Sequence, residues 1–364
     1  MIQSREALLL SVFISILTFS NTTYGRVASK EPKGIVPQAS ILLSLSDEEQ
    51  STVEQIDQKI KVKRATLLKT QKSDAAKYTS LYDDIVELTI SRNNYLKEME
   101  RADDIDSDKT CGLALKYAEV EFIKTQYYKT PFNDNVAKTL QNTAILYEQC
   151  YPPMAEKYLR SALKIKEHIY TKNSIEVAKS HDLLGDFYRV YMTNFEKSIK
   201  EYREAKRIRE KLYGTRDPRI TENYKSLAFS LYYHGDKVNQ AEKLLLDSIV
   251  IHKNSPPDKK HPLYLAYMDL GIFYSINGKY DKSTLYLQKA LKAFDGKIDR
   301  RYIAILENLS QGYLNQGDLD NALKFGEEAY GVSREFYGKS THPHVLESLS
   351  RILEIKDRIS RLHK

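Results

Sequence analysis

A chain of 364 residues has room for more than one domain and ample material for a core. Charged residues make up 29% of it with both signs interspersed and a net charge of +7, which suits a solvated helical surface and demands neither a nucleic acid nor a membrane as partner. Tyr is abundant at 27, Trp is absent, and Gly and Pro are few and fall mostly at turns, so the composition favours helix over sheet.

Arg5 precedes the uncharged run ALLLSVFISILTF, Ala7 to Phe19. It is too short to span a bilayer comfortably and has the length of a signal-peptide core. Thr23-Tyr24-Gly25 is an imperfect small-x-small cleavage site. The expectation is export, periplasmic or secreted, with residues 1–25 as signal peptide; the alternatives are an uncleaved membrane anchor and a buried core helix. The sequons at Asn21 and Asn308 matter only in a eukaryotic secretory pathway. Residues 26–45, with Pro32 and Pro37, read as a flexible linker.

Ser46-Asp47-Glu48-Glu49 is a capping box that starts a helix running to about Leu68, with a sparse stripe of Val53, Ile56, Ile60 and Leu67. Residues 46–72 read as an atypical cap on a repeat array. A long helix from about Asp74 to Ala102 carries Tyr78, Leu81, Ile85, Leu88 and Tyr95 on its apolar side. The Asp104-x-Asp106-x-Asp108 that follows has Lys109 and Leu115 where a calcium loop needs Gly and Glu, and reads as a solvated turn.

Helix pairs then recur over residues 73–343, and residues 344–364 form a terminal cap whose helix carries Leu346, Leu349 and Leu353 on one face. The clearest unit spans Val177 to Pro218. Leu184, Gly185 and Tyr188 make one helical stripe; Tyr202, Ala205 and Ile208 make a second. Gly214 sits where a left-handed C-cap is wanted, and Asp217-Pro218 opens the next unit as N-cap and first helical residue. Ala162 to Ala205 and Gly235 to Gly278 are each 43 residues; Gly278 to Gly317 is 39. Self-similarity at this period is the mark of a helical solenoid.

Matching Val136-Ala137-Lys138 to Val177-Ala178-Lys179 places Cys111 and Cys150 near inter-helix turns of consecutive units. A disulfide is geometrically plausible there and an oxidising compartment allows it; two free, partly buried thiols are the other reading.

Leu270-Gly271, Tyr274, Gly278, Ser283 and Ala290 resemble the tetratricopeptide repeat, as do Leu309, Tyr313, Gly317, Ala322 and Ala329, with Ser310 in place of the Gly. Leu227, Ala228, Gly235 and Ala241 follow the pattern more loosely. The long period and the joining segments, Arg207 through Pro218 and Ser333 through Pro343, are similar to the kinesin-light-chain variety. The resemblance implies an all-α, right-handed superhelical solenoid of antiparallel helix pairs whose concave groove holds a peptide or partner protein. Carrying the family's groove positions across gives Lys138 and Gln141; Lys179, Asp182, Asp186 and Arg189; Lys225, Phe229, Tyr232 and Tyr233; Met268, Ile272 and Ser275; and Glu307, Gln311 and Asn315. The Lys/Asn clamp with which one subfamily grips a terminal carboxylate is absent, since Phe229 follows Lys225 and Asp186 follows Asp182.

No Gly-rich phosphate loop and no Gly-x-Ser-x-Gly elbow occurs. His342 and His344 read as a surface turn, and His181 and His234 lie near the groove without a catalytic set. The Lys197 to Lys211 run mixes Glu201, Glu204 and Glu210 among its cations, as a solvated face does. The expectation is a non-enzymatic interaction scaffold without cofactor or metal, with no nucleic-acid partner and with membrane contact only through an uncleaved N-terminal segment. A membrane-tethered assembly or structural factor is the alternative.

Overall fold

The computed structural model describes residues 47–70, 74–98, 109–114, 116–117, 124, 132–148, 151–235, 237–255, 263–296, 298–338 and 342–362. The expected signal segment and linker, the acidic turn at 104–108 and Cys150 lie outside them. Among the described residues there are helices and no strand.

The helices run α1 (Asp47–Lys69), α2 (Ala75–Glu98), α3 (Asp134–Tyr147), α4 (Pro152–Ile169), α5 (Ile175–Val190), α6 (Phe195–Tyr213), a 3₁₀ turn (Pro218–Asn223), α7 (Tyr224–His234), α8 (Val238–Lys253), α9 (Leu263–Ile276), α10 (Tyr280–Ala293), α11 (Arg300–Gln316), α12 (Leu319–Tyr337) and α13 (Pro343–Leu362). From α3 onward each helix packs against its sequence neighbours, in chain order. That order is the signature of stacked two-helix units: α3/α4, α5/α6, α7/α8, α9/α10 and α11/α12, capped by α13. The expected solenoid of helix pairs is therefore the fold.

The ends of the helices explain the punctuation. Asn133, Ser174, Asn194, Asp217, Asp299 and Asp318 each accept a backbone N–H of the helix or turn that follows, satisfying donors that would otherwise be orphaned. Gly235, Gly317 and Gly338 close α7, α11 and α12 in the left-handed region. Asp217-Pro218 does not open α7 directly. It opens the 3₁₀ turn, which shortens α7 to 11 residues.

Within a unit the two helices approach closely because a small residue faces a large one. A Cβ placed on Gly185 would lie 2.7 Å from the Tyr202 ring, and one on Gly271 would lie 2.7 Å from Cγ of Leu287. In the α11/α12 unit Ser310 takes the glycine position and donates its hydroxyl to the Ala322 carbonyl at 2.8 Å, with Gly326 on the facing helix leaving the space. Two large apolar clusters result. One runs from Ile60 to Ile208, the other from Ile199 to Ala329, and both draw on α6.

Candidate functional site

The first helix of each unit (α3, α5, α7, α9, α11) carries all the groove residues expected from sequence. The structure sorts them into three groups.

One group is buried. Phe229, Met268, Ile272 and Ser275 are 1–4% exposed, which corrects their assignment to a ligand-facing wall. They fill the contacts between adjacent helices, where the family's groove spacing coincides with the packed edge of α7 and α9.

A second group ties elements of the stack together. Lys138 on α3 pairs with Glu87 on α2 at 2.7 Å. Gln141 reaches Ser180 on α5 at 3.4 Å. Asp182 on α5 accepts from Arg209 of α6 at 2.5 Å, and the same Arg209 nitrogen reaches Glu222 in the 3₁₀ turn before α7 at 3.2 Å. Lys225 on α7 pairs with Asp269 on α9 at 3.1 Å. Glu307 on α11 accepts from Ser348 on α13 at 2.7 Å. Burial raises the carboxyls of Asp269 and Glu307 above their ordinary values, opposed by Lys225 and Arg351 respectively. Burial likewise pushes Asp182 up to about 6 against the pull of Arg209.

Four of the remaining residues, Asp186 and Arg189 of α5 and Tyr232 and Tyr233 of α7, are half-buried and form a patch around Phe195 and the Tyr202 hydroxyl of α6. Asp186 accepts from the Tyr202 hydroxyl at 2.6 Å and from Arg189 at 3.1 Å; Arg189 Nε also donates to that hydroxyl at 3.3 Å. This triangle fixes the Arg189 fork beside the half-buried Tyr232 and Tyr233. The Tyr233 ring stacks on Phe195 at 5.6 Å, and Tyr232 meets it edge-on at 5.2 Å. The Tyr232 hydroxyl donates to the Ile276 carbonyl of α9 at 2.9 Å. Burial pushes the Tyr233 hydroxyl up to about 12, partly offset by Arg189, so it is a neutral hydrogen-bonding group at physiological pH. A fixed guanidinium, a carboxylate and two amphipathic rings can hold a polypeptide through hydrogen bonds and ring stacking. Lys179 is exposed and lies toward the start of α5, before Asp186; Gln311 and Asn315, paired with each other at 3.1 Å, are half-buried on α11, in a later unit.

Sequence reasoning missed Arg209, Phe195, Tyr202's hydroxyl and Glu222 as members of this region. Arg209 is 2% exposed, not part of a solvated face. Glu201, Ala205 and Arg209 fall at i, i+4, i+8, along the edge of the buried stripe, and that spacing was the available signal. His181 is likewise buried, with Nδ1 2.7 Å from Glu201. His342 and His344 are 2% and 8% exposed and stack on Tyr337, which corrects the surface-turn reading. Among the described residues no group of three His, Cys, Asp or Glu could hold a metal ion, and no helix is long and apolar enough to cross a membrane.

The close helix approach at small residues such as Gly185 and Gly271, and the stacking in chain order, make this a solenoid of helix pairs that is similar to tetratricopeptide repeats. The tetratricopeptide repeat family model matches residues 303–344, the α11/α12 unit and its exit. Among solved structures the chain is similar to BtubC (BKLC) from P. vanneervenii, at 18% identity over 68% of this chain and 91% of that one, TM-score 0.47. It is similar to the nearly identical TPR-like repeats of a putative kinesin light chain from P. anserina, at 15% identity over 56% and 97%, TM-score 0.46. It is also similar to the apo quorum sensor NprR from B. thuringiensis, at 16% identity over 82% and 81%, TM-score 0.48. At these identities the likeness concerns the fold alone. No curated protein matches the chain.

Proposed function

We propose that this protein is an exported, non-enzymatic scaffold that holds a partner protein or peptide against the face of its first helices, centred on Asp186, Arg189, Tyr232 and Tyr233. The observation that carries the reading is the Asp186–Tyr202–Arg189 triangle, which presents a fixed guanidinium beside two half-buried tyrosines. Aromatic and Arg anchors of this kind dominate protein interfaces. Peptides selected from a displayed library should bind the chain and lose about tenfold in affinity in Tyr233→Ala or Arg189→Ala, in line with anchors worth more than ~1 kcal/mol. Binding unchanged in both variants would move the site elsewhere.

Export rests on the Ala7–Phe19 run and is tested separately by N-terminal sequencing. A mature start near Arg26 supports the scaffold; an intact Met1 supports the membrane-tethered factor. The Cys111–Cys150 bridge belongs to the same proposal: Cys111 carries no free thiol, and Cys150 is the chain's other cysteine. Mass spectrometry of the unreduced chain should find the two linked.

A further inference from the structure

The second-helix side of the stack carries a feature that the first-helix reading does not use. A cleft of about 1020 Å³ opens between α6 and α8, the second helices of consecutive units, with α7 at its base. Its base is apolar: Leu227 and Leu231 of α7, both 1–2% exposed, meet Leu244 of α8. One end is crossed by a single hydrogen bond, Arg203 Nη2 to Gln240 Oε1 at 3.2 Å. At the other, Val250 is 55% exposed although it is a large aliphatic side chain on the cleft wall.

The charges of the wall decide the ligand. Lys206 is held by Glu210 at 2.5 Å and Arg207 by Glu204 at 2.6 Å, so those cations are neutralised within α6. Among the described residues Arg203, Arg216 and Lys243 have no carboxylate partner, and Asp247 has no cation. Three uncompensated cations against one uncompensated carboxylate leave the cleft net positive above an apolar base.

We infer that this cleft is a second binding surface, for an acidic peptide segment of a partner that carries aliphatic anchors. The aliphatic side chains meet Leu244 and Val250, while Glu or Asp of the peptide pair with Arg216 and Lys243. A phosphate backbone fits less well. Glu210 and Asp247 sit within the wall and would repel a strand of uniform negative charge, and the apolar base offers a sugar-phosphate chain nothing. A peptide can place a neutral or basic residue opposite those carboxylates.

The test uses the full chain and fluorescence anisotropy with a labelled ten-residue Glu-rich peptide bearing two Leu four residues apart. A parallel titration uses labelled oligouridine. The expected result is saturable peptide binding that weakens as salt rises and falls about tenfold in the double variant Arg216→Glu/Lys243→Glu, because each reversal turns an attraction into a repulsion. The charge-conserving Arg216→Lys/Lys243→Arg should retain binding, and circular dichroism of both variants should match the parent. Tyr233→Ala should leave this affinity unchanged, which separates failure here from failure of the first-helix reading. No peptide binding, binding indifferent to the charge reversal, or tighter binding of oligouridine than of peptide would each overturn the proposal.

Discussion

Two joints of the same stack are built from different materials. Between α9 and α11 the contact belongs to one apolar cluster, with Leu270, Phe273, Ile305, Leu306 and Leu309 all fully buried. Between the α5/α6 unit and α7 the two apolar clusters divide at α6, and polar groups sit at the seam. Arg209 bridges Asp182 to Glu222, Asn223 donates to the Tyr202 carbonyl at 2.7 Å, and Ser198 meets Ser230 at 2.9 Å. An apolar joint is held by area and is indifferent to pH. A polar joint is held by a few bonds that must all be present, because an unpartnered buried charge is costly. The half-buried Arg and Tyr patch lies beside the polar joint: Asp186 and the Tyr202 hydroxyl orient Arg189, while Asp182, Arg209 and Glu222 hold the joint.

The largest effect should come from removing the bridge. Arg209→Ala leaves Asp182 facing a buried site without its cation and is expected to cost about 3–5 kcal/mol, read as a lowered midpoint in urea unfolding. Arg209→Met, which keeps the volume, should cost the same if charge is the reason. A full recovery with Met would show that packing alone is at stake.

Next comes the apolar side of the comparison. Gly271→Ala drives a methyl to 2.7 Å from Leu287 and should cost about 1–3 kcal/mol, the range of an overpacked core. Unlike the Arg209 change, this loss should not vary between pH 5 and 8. A loss that tracked pH would blur the distinction between the joints.

The polar joint should also respond to pH in a defined sense. The folded value of Asp182, about 6, lies above the ordinary 3.8. A raised carboxyl contributes stability that is whole below about 4 and is lost as pH rises through about 6. Asp182→Asn should flatten the stability profile across that window and leave it unchanged elsewhere. Carboxyl-detected NMR that placed Asp182 near 4 would remove the basis of this expectation.

The smallest effect belongs to the stitch between α2 and α3. Lys138 and Glu87 are 60% and 50% exposed, and an exposed pair is worth about 0–1 kcal/mol. Lys138→Ala should barely move the unfolding midpoint, and less still at high salt.

Much of the architecture was legible because it rests on local spacing. Gly185 and Tyr202, or Gly271 and Leu287, recur at a fixed period since two helices can approach only where one side is small. The left-handed glycines and the Asn, Ser and Asp caps mark turns for similarly local reasons. The site was less legible, because it depends on which edge of each first helix meets the next unit. Met268 and Ile272 read as wall residues and are core. Arg209 reads as solvated and is buried, since its partners Asp182 and Glu222 are 27 and 13 residues away in sequence. The stacking of His342 and His344 on Tyr337 depends on how the chain turns after α12, which no local pattern encodes.

Mapping the tyrosine and arginine side-chain NMR signals of the full chain while a display-selected peptide is added addresses the central reading most directly. The largest shifts should fall on Arg189, Tyr232 and Tyr233, with the α9–α11 joint undisturbed. Shifts confined to α9 and α11, with those three residues silent, would contradict it.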